Sequence, residues 1–217
     1  MRGQTDRAKR GALAALGLLA CVAVAGCNLF GAPPTPTRAV DANSVEGALL
    51  AYATGSAPDA DAAAASFGVI HVWDWGGDQL AAFSFAGGYG EAWSLCNGLA
   101  RVTPSGGGWE VAAAGSRCWD SSETAEGVSG LYTILPGPDG AAQTVIFGDV
   151  LSPDVTAVSI EFAVGGENAV AEMGDGGYWL LAPGAPARAV AIDALGNLVQ
   201  LFTFGEALAL APVSPGS

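Results

Sequence analysis

The segment Val69-Ile70-His71-Val72-Trp73-Asp74-Trp75, followed by Gly76-Gly77-Asp78 and a second apolar run at 80–85, decides the fold class. β-Branched and aromatic side chains dominate it, the types that suit a pleated, half-buried surface. Val69, His71, Trp73 and Trp75 alternate with Ile70, Val72 and Asp74. That period of two marks a strand, where a helix would repeat every 3.6 residues. Alternation predicts Val69, His71, Trp73 and Trp75 on one face. The Gly-Gly-Asp group reads as a turn, because glycine takes positive φ without steric penalty. Residues 80–85 then read as the returning strand.

The same pattern extends outward. Segments 91–102 and 109–114 flank Gly106-Gly107-Gly108, and 131–135 runs into Pro136-Gly137-Pro138-Asp139-Gly140, a strong break. Further segments follow at 144–147, 157–162, 169–173, 178–181, 189–193 and 198–204. Gly165-Gly166, Asp175-Gly176-Gly177 and Gly196-Asn197 punctuate them. Short strands at this spacing predict an all-β, antiparallel sandwich or barrel-like fold. Upstream, Asn43 and Glu46 have capping-box spacing. Val45, Ala48, Leu49 and Tyr52 recur at helical intervals, which predicts a short helix, although a strand also fits. Residues 57–66 read as a loop or one helical turn. The proline–glycine break divides the folded region into a part at 44–136 and a part at 142–206. The first is short for an independent sandwich, so one continuous β structure is the alternative.

The N-terminus carries a different signal. Arg2, Arg7, Lys9 and Arg10 precede residues 11–24, which hold no charge and no strongly polar group. That run falls short of the roughly 20 residues a spanning helix needs and fits the apolar region of a cleaved export signal. It ends at Val24-Ala25-Gly26-Cys27. This resembles the lipobox of bacterial lipoproteins: an aliphatic residue, two small residues and a cysteine. The resemblance implies cleavage after residue 26, a thioether lipid on Cys27, and acylation of the new amine, palmitate being among such chains. Leu18-Leu19-Ala20-Cys21 is a poorer match, since Leu19 is bulky and the apolar run would shorten. Two or more acyl chains give stable attachment, each buried methylene adding about 0.8 kcal/mol. Residues 1–26 are therefore expected to be the signal and 27–43 a tether, in which Ala32-Pro33-Pro34-Thr35-Pro36-Thr37 favours an extended polyproline-like backbone.

Assigning Cys27 to lipid and Cys21 to the signal leaves Cys96 and Cys118. An even pair in an oxidising compartment predicts a disulfide. Eleven positions separate each of them from Gly107, so a hairpin turn there sets them opposite each other. The bridge would close a loop of about 20 residues and add about 3 kcal/mol. Two free thiols are the alternative.

Residues 142–206 resemble, in Phe147-Gly148-Asp149-Val150, 155–162, Gly177-Tyr178-Trp179 and Ala191-Ile192-Asp193-Ala194-Leu195-Gly196-Asn197, the immunoglobulin-like or carboxypeptidase-regulatory-like modules of bacterial surface proteins. The resemblance implies an adhesive or spacing element and not a catalyst. Residues 56–135 carry no such resemblance.

Charge narrows the function classes. Without the signal the chain keeps four arginines (Arg38, Arg101, Arg117, Arg188), no lysine and twenty acids, a net charge near −16. Nucleic-acid binding needs a basic patch, which four scattered arginines do not make. The lone histidine, His71, lies mid-strand without a Gly-x-Ser-x-Gly elbow, so a hydrogen-bonded structural role is expected. Glu91 and Glu110, near Trp93 and Trp109, are the carboxylate pair a glycosidase would need. Asp59 with Asp61, and Asp149 with Asp154, offer hard oxygens for calcium, without an EF-hand spacing. Trp73, Trp75, Trp93, Trp109, Trp119 and Trp179 either fill a core or stack on sugars from an exposed face.

These readings converge on an exported lipoprotein, held by lipidated Cys27 at the bacterial cell membrane and facing the periplasm or cell exterior. Its expected role is structural, interaction or ligand-binding, with no catalytic or metal-ligating residue assigned and no cofactor. A protein or glycan is the expected partner, besides the membrane itself. Carbohydrate binding through exposed tryptophans, with or without calcium, is the alternative, and a small hydrolase comes third.

Overall fold

The hairpin that decided the fold class is present as β1 (Gly68–Trp75) and β2 (Asp78–Gly88). Trp75 pairs with Asp78 across Gly76 and Gly77, both at positive φ, the signature of a type I′ turn. The structure is a computed structural model and describes residues 39–88, 94–120, 127–163 and 167–214. The export signal, Cys21, Cys27, most of the tether, Glu91, Trp93 and the Gly165-Gly166 turn lie outside the described residues.

Two helices precede the strands. α1 (Val45–Ser56) confirms the helical reading, but its cap is Ser44 and not Asn43. The Ser44 hydroxyl accepts from Gly47 N (3.0 Å), and Asp41 O accepts from Ser44 N (3.0 Å). This turn seats Ser44 at the cap and places Glu46 one position too early for a capping box. α2 (Ala60–Ser66) is a full short helix, with Asp59 Oδ1 accepting from Ala62 N (2.9 Å).

After β2 come β3 (Ser94–Ser105), β4 (Gly108–Asp120), β5 (Leu131–Pro136), β6 (Ala142–Asp149), β7 (Ala157–Phe162), β8 (Ala169–Val170), β9 (Glu172–Gly174), β10 (Gly177–Ala182), β11 (Pro186–Ile192), β12 (Leu198–Thr203) and β13 (Ala211–Pro212). Among the described residues they form three sheets, ordered β1-β2-β3-β4-β13, β5-β6-β10-β9 and β12-β11-β7-β8, with antiparallel pairing throughout the ladders. We call them the first, middle and outer sheets. The all-β antiparallel reading holds, with the sheets open and face-packed.

Three apolar cores explain the stacking. Leu49, Ala53 and Ala63 of the helices pack with Phe83, Phe85 and Val102 on one face of the first sheet. The opposite face presents Trp73, Trp75, Leu80 and Leu99 to Leu131, Val145 and Phe147 of the middle sheet. Ile146 and Tyr178, on the far side of the middle sheet, meet Val158, Ile160, Ala189 and Ala191 of the outer sheet. β6 is therefore apolar on both faces, and Val145-Ile146-Phe147 reads as an unbroken run for that reason. The Pro136–Gly140 break is a hairpin turn, since Pro136 pairs with Ala142 across it. Contacts gather the described residues into one compact unit.

Three local features depart from simple alternation. A bulge at Ile70 separates Val69 from His71. Val69 consequently packs toward the helices, while Ile70 joins Trp73 and Trp75. The expected strand at 169–173 is two strands in different sheets, β8 in the outer and β9 in the middle one. Buried Ala171 lies between them and donates its N–H to Val158 O (2.8 Å). Finally, the chain after β12 forms a strap. Phe204 lies in the outer core, Leu208 and Leu210 in the central core, and Val213 against the helical core. Leu208 N donates to Tyr132 O (2.7 Å), Thr133 Oγ1 donates to Leu208 O (2.7 Å), and Val213 N donates to Ala112 O (3.0 Å).

Candidate functional site

The disulfide joins Cys96 and Cys118, which stand directly opposite each other on β3 and β4. The route to this register differs from a symmetric turn about Gly107. Ser105 pairs with Gly108 around a two-residue turn, Gly106-Gly107, with both φ values positive. That turn alone would set Cys96 opposite Arg117. An extra residue, Ala112, bulges from β4 between the partners of Arg101 and Val102 and restores the match.

The aromatic candidates go mainly to packing. Trp73 and Trp75 are buried, and Trp75 Nε1 donates to Pro136 O (3.2 Å). Trp109 packs on the helical core, and Trp119 and Trp179 pack on the central one, each partly buried. His71 stacks on Trp179 at 4.3 Å between centroids and meets Trp73 edge-on at 4.8 Å. Burial holds its pKa below the usual histidine value, partly opposed by Glu172. The ring is thus neutral at neutral pH, a seam between the first and middle sheets. Stacking on Trp179 and Trp73 gives the half-buried His71 a structural place in that seam.

The carboxylates are dispersed. Asp59 caps α2, Asp154 is exposed in a loop, and Glu110 is exposed on β4. Asp149 is buried and faces a different task. Asn97 Nδ2 donates to Asp149 Oδ2, Ser129 Oγ donates to Asn97 Oδ1 (2.7 Å), and Asp149 N donates to Ser129 Oγ (3.3 Å). Asn97 lies on β3 of the first sheet and Asp149 ends β6 of the middle sheet, so the cluster ties two layers. Burial pushes the Asp149 carboxyl above the ordinary aspartate range, while hydrogen bonds from Asn97 and Ser84 pull the other way. Beside it, the fully buried Tyr178 hydroxyl has no hydrogen-bond partner among the described residues, and burial followed by the Asp149 charge raises its pKa. Among the described residues no three His, Cys, Asp or Glu side chains gather as a metal site.

One surface was missed by sequence reasoning: the side of the outer sheet turned away from the core. Cross-strand partners build it in rows. Leu201, Val190, Ser159 and Val170 form one row, Leu198, Ile192 and Ala157 a second, and Thr203, Arg188 and Glu161 a third. Leu198 is 62 % exposed, Leu201 48 % and Val170 68 %. Arg188 and Glu161 form an ion pair across the strands. A bulge at Val199 turns Leu198 to this side. The sequence signal was available in Ser159 and Glu161 alternating with Val158 and Ile160, but the apolar partners on β12 mask it.

No protein-family model, curated protein or solved structure matches this chain.

Proposed function

We propose that the chain is a bacterial envelope lipoprotein, exported by residues 1–26, held to the membrane by lipid on Cys27, and non-catalytic in its role as a structural or interaction element. The observation that carries this reading is Val24-Ala25-Gly26-Cys27 directly after an uncharged apolar run. The Cys96–Cys118 bridge supports it, because such bonds persist in oxidising compartments outside the cytosol. The use of His71, Asp59, Asp149 and most tryptophans in caps, seams and cores favours an interaction role over a chemical one. The likeness of residues 142–206 to spacing and adhesive modules points the same way. Among the described residues no helix is long and apolar enough to cross a membrane.

Labelling with palmitate in a bacterial host tests the proposal. The full chain and a Cys21→Ala variant should both take up label, and a Cys27→Ala variant should take up none. Label that survives Cys27→Ala, or a full chain that never acquires it, contradicts the reading.

A further inference from the structure

Among the described residues, every sheet face but one packs against another layer. The helices and the middle sheet cover the first sheet, and the first and outer sheets cover the middle one. The remaining side of the outer sheet presents Leu198, Leu201 and Val170 to solvent. Large apolar side chains grouped on an exposed face and rimmed by polar ones mark interaction surfaces.

We propose that this face pairs with the same face of a second copy of the chain. Charge selects the occupant. The chain has a formal net charge of −13, so two copies repel wherever acidic surfaces approach. On the three rows of this face the charged side chains are Arg188 and Glu161, adjacent and opposite in sign. A two-fold axis brings residue i of one copy to residue j of the other, and j to i. Arg188 of one copy then meets Glu161 of the other, twice, while the leucine and valine rows close over each other. A cationic partner would gain nothing from a face that is neutral as a whole. The packing repeats the sheet-on-sheet contact that the fold already uses twice.

The pairing is separate from the anchor. Two differently tagged full-length copies are co-expressed, extracted in mild non-ionic detergent, and captured through one tag. Wild-type copies should co-purify, and a Cys27→Ala pair should do so equally, which keeps failure of the anchor distinct from failure of the pairing. Arg188→Glu expressed with itself, and Glu161→Arg with itself, set like charges together and should lower co-purification roughly tenfold or more. Arg188→Glu expressed with Glu161→Arg should restore it, and that recovery also shows that both variants fold. Leu201→Lys should lower it in every combination. Wild-type copies that do not co-purify, single variants that pair as well as wild type, or a mixed pair that fails to recover would each overturn the proposal.

Discussion

Replacing Asn97 by alanine tests the polar tie between the first and middle sheets. Asn97 is fully buried; it donates to Asp149 Oδ2 and accepts from Ser129 Oγ at 2.7 Å. Alanine removes one charge-assisted bond, worth about 1.5–3 kcal/mol, and leaves the Ser129 hydroxyl short of an acceptor, costing about 1–3 kcal/mol. A loss of about 2.5–6 kcal/mol follows at neutral pH, a large share of a domain's stability. The sign of its pH dependence is fixed by the chemistry. Asp149 has a folded pKa raised by burial, and the Asn97 bond favours its charged form. The folded state therefore holds the proton more tightly than the unfolded one, and stability falls as pH rises from the unfolded value through the folded one. Removing Asn97 raises the folded pKa further, so the variant keeps losing stability at a pH where the wild type has levelled off. Each added unit costs about 1.4 kcal/mol once pH exceeds both values. Urea unfolding of both proteins at pH 5 and pH 7.5 measures this. The deficit should be larger at pH 7.5. A deficit below about 1 kcal/mol, or one that shrinks with rising pH, refutes the tie.

Other perturbations follow from packing. A Cβ on Gly98 would overlap the Phe83 ring across the β2–β3 ladder, so Gly98→Ala should cost about 1–3 kcal/mol by urea unfolding. Leu208→Ala removes the strap's anchor from the central core and should cost about 2–5 kcal/mol, read by thermal unfolding. The Cys96→Ala, Cys118→Ala double variant should lose about 3 kcal/mol, as should wild type under reduction, because the bridge spans 22 positions. Equal stability with and without reductant would contradict that prediction.

The parts legible in the sequence were those encoded locally. Gly76-Gly77 and Asp175-Gly176 are two-residue turns with positive φ, and glycine and aspartate announce them without tertiary context. The helical repeat of Val45, Leu49 and Tyr52 was visible, while the cap shifted by one residue because Asp41, outside the repeat, holds Ser44. Cys96 and Cys118 were correctly paired, but by a two-residue turn plus a bulge at Ala112, which no local residue preference marks. The Ile70 bulge was hidden in the same way, and it reversed the side to which Val69 points. The strand expected at 169–173 changes sheets at Ala171 because the outer and middle sheets meet there, a fact of packing alone. The Asn97, Ser129 and Asp149 cluster draws on β3, a loop and β6, and its members are joined only by the stacking of layers. The strap at 205–213 reads as a plain apolar tail until the three cores it crosses are known.

The most direct test of the central claim is the intact mass of the chain taken from bacterial membranes. A polypeptide beginning at Cys27 is expected, heavier than its sequence by a diacylglyceryl group and an amide-linked acyl chain. A chain that retains residues 1–26, or begins elsewhere with Cys27 unmodified, would contradict it.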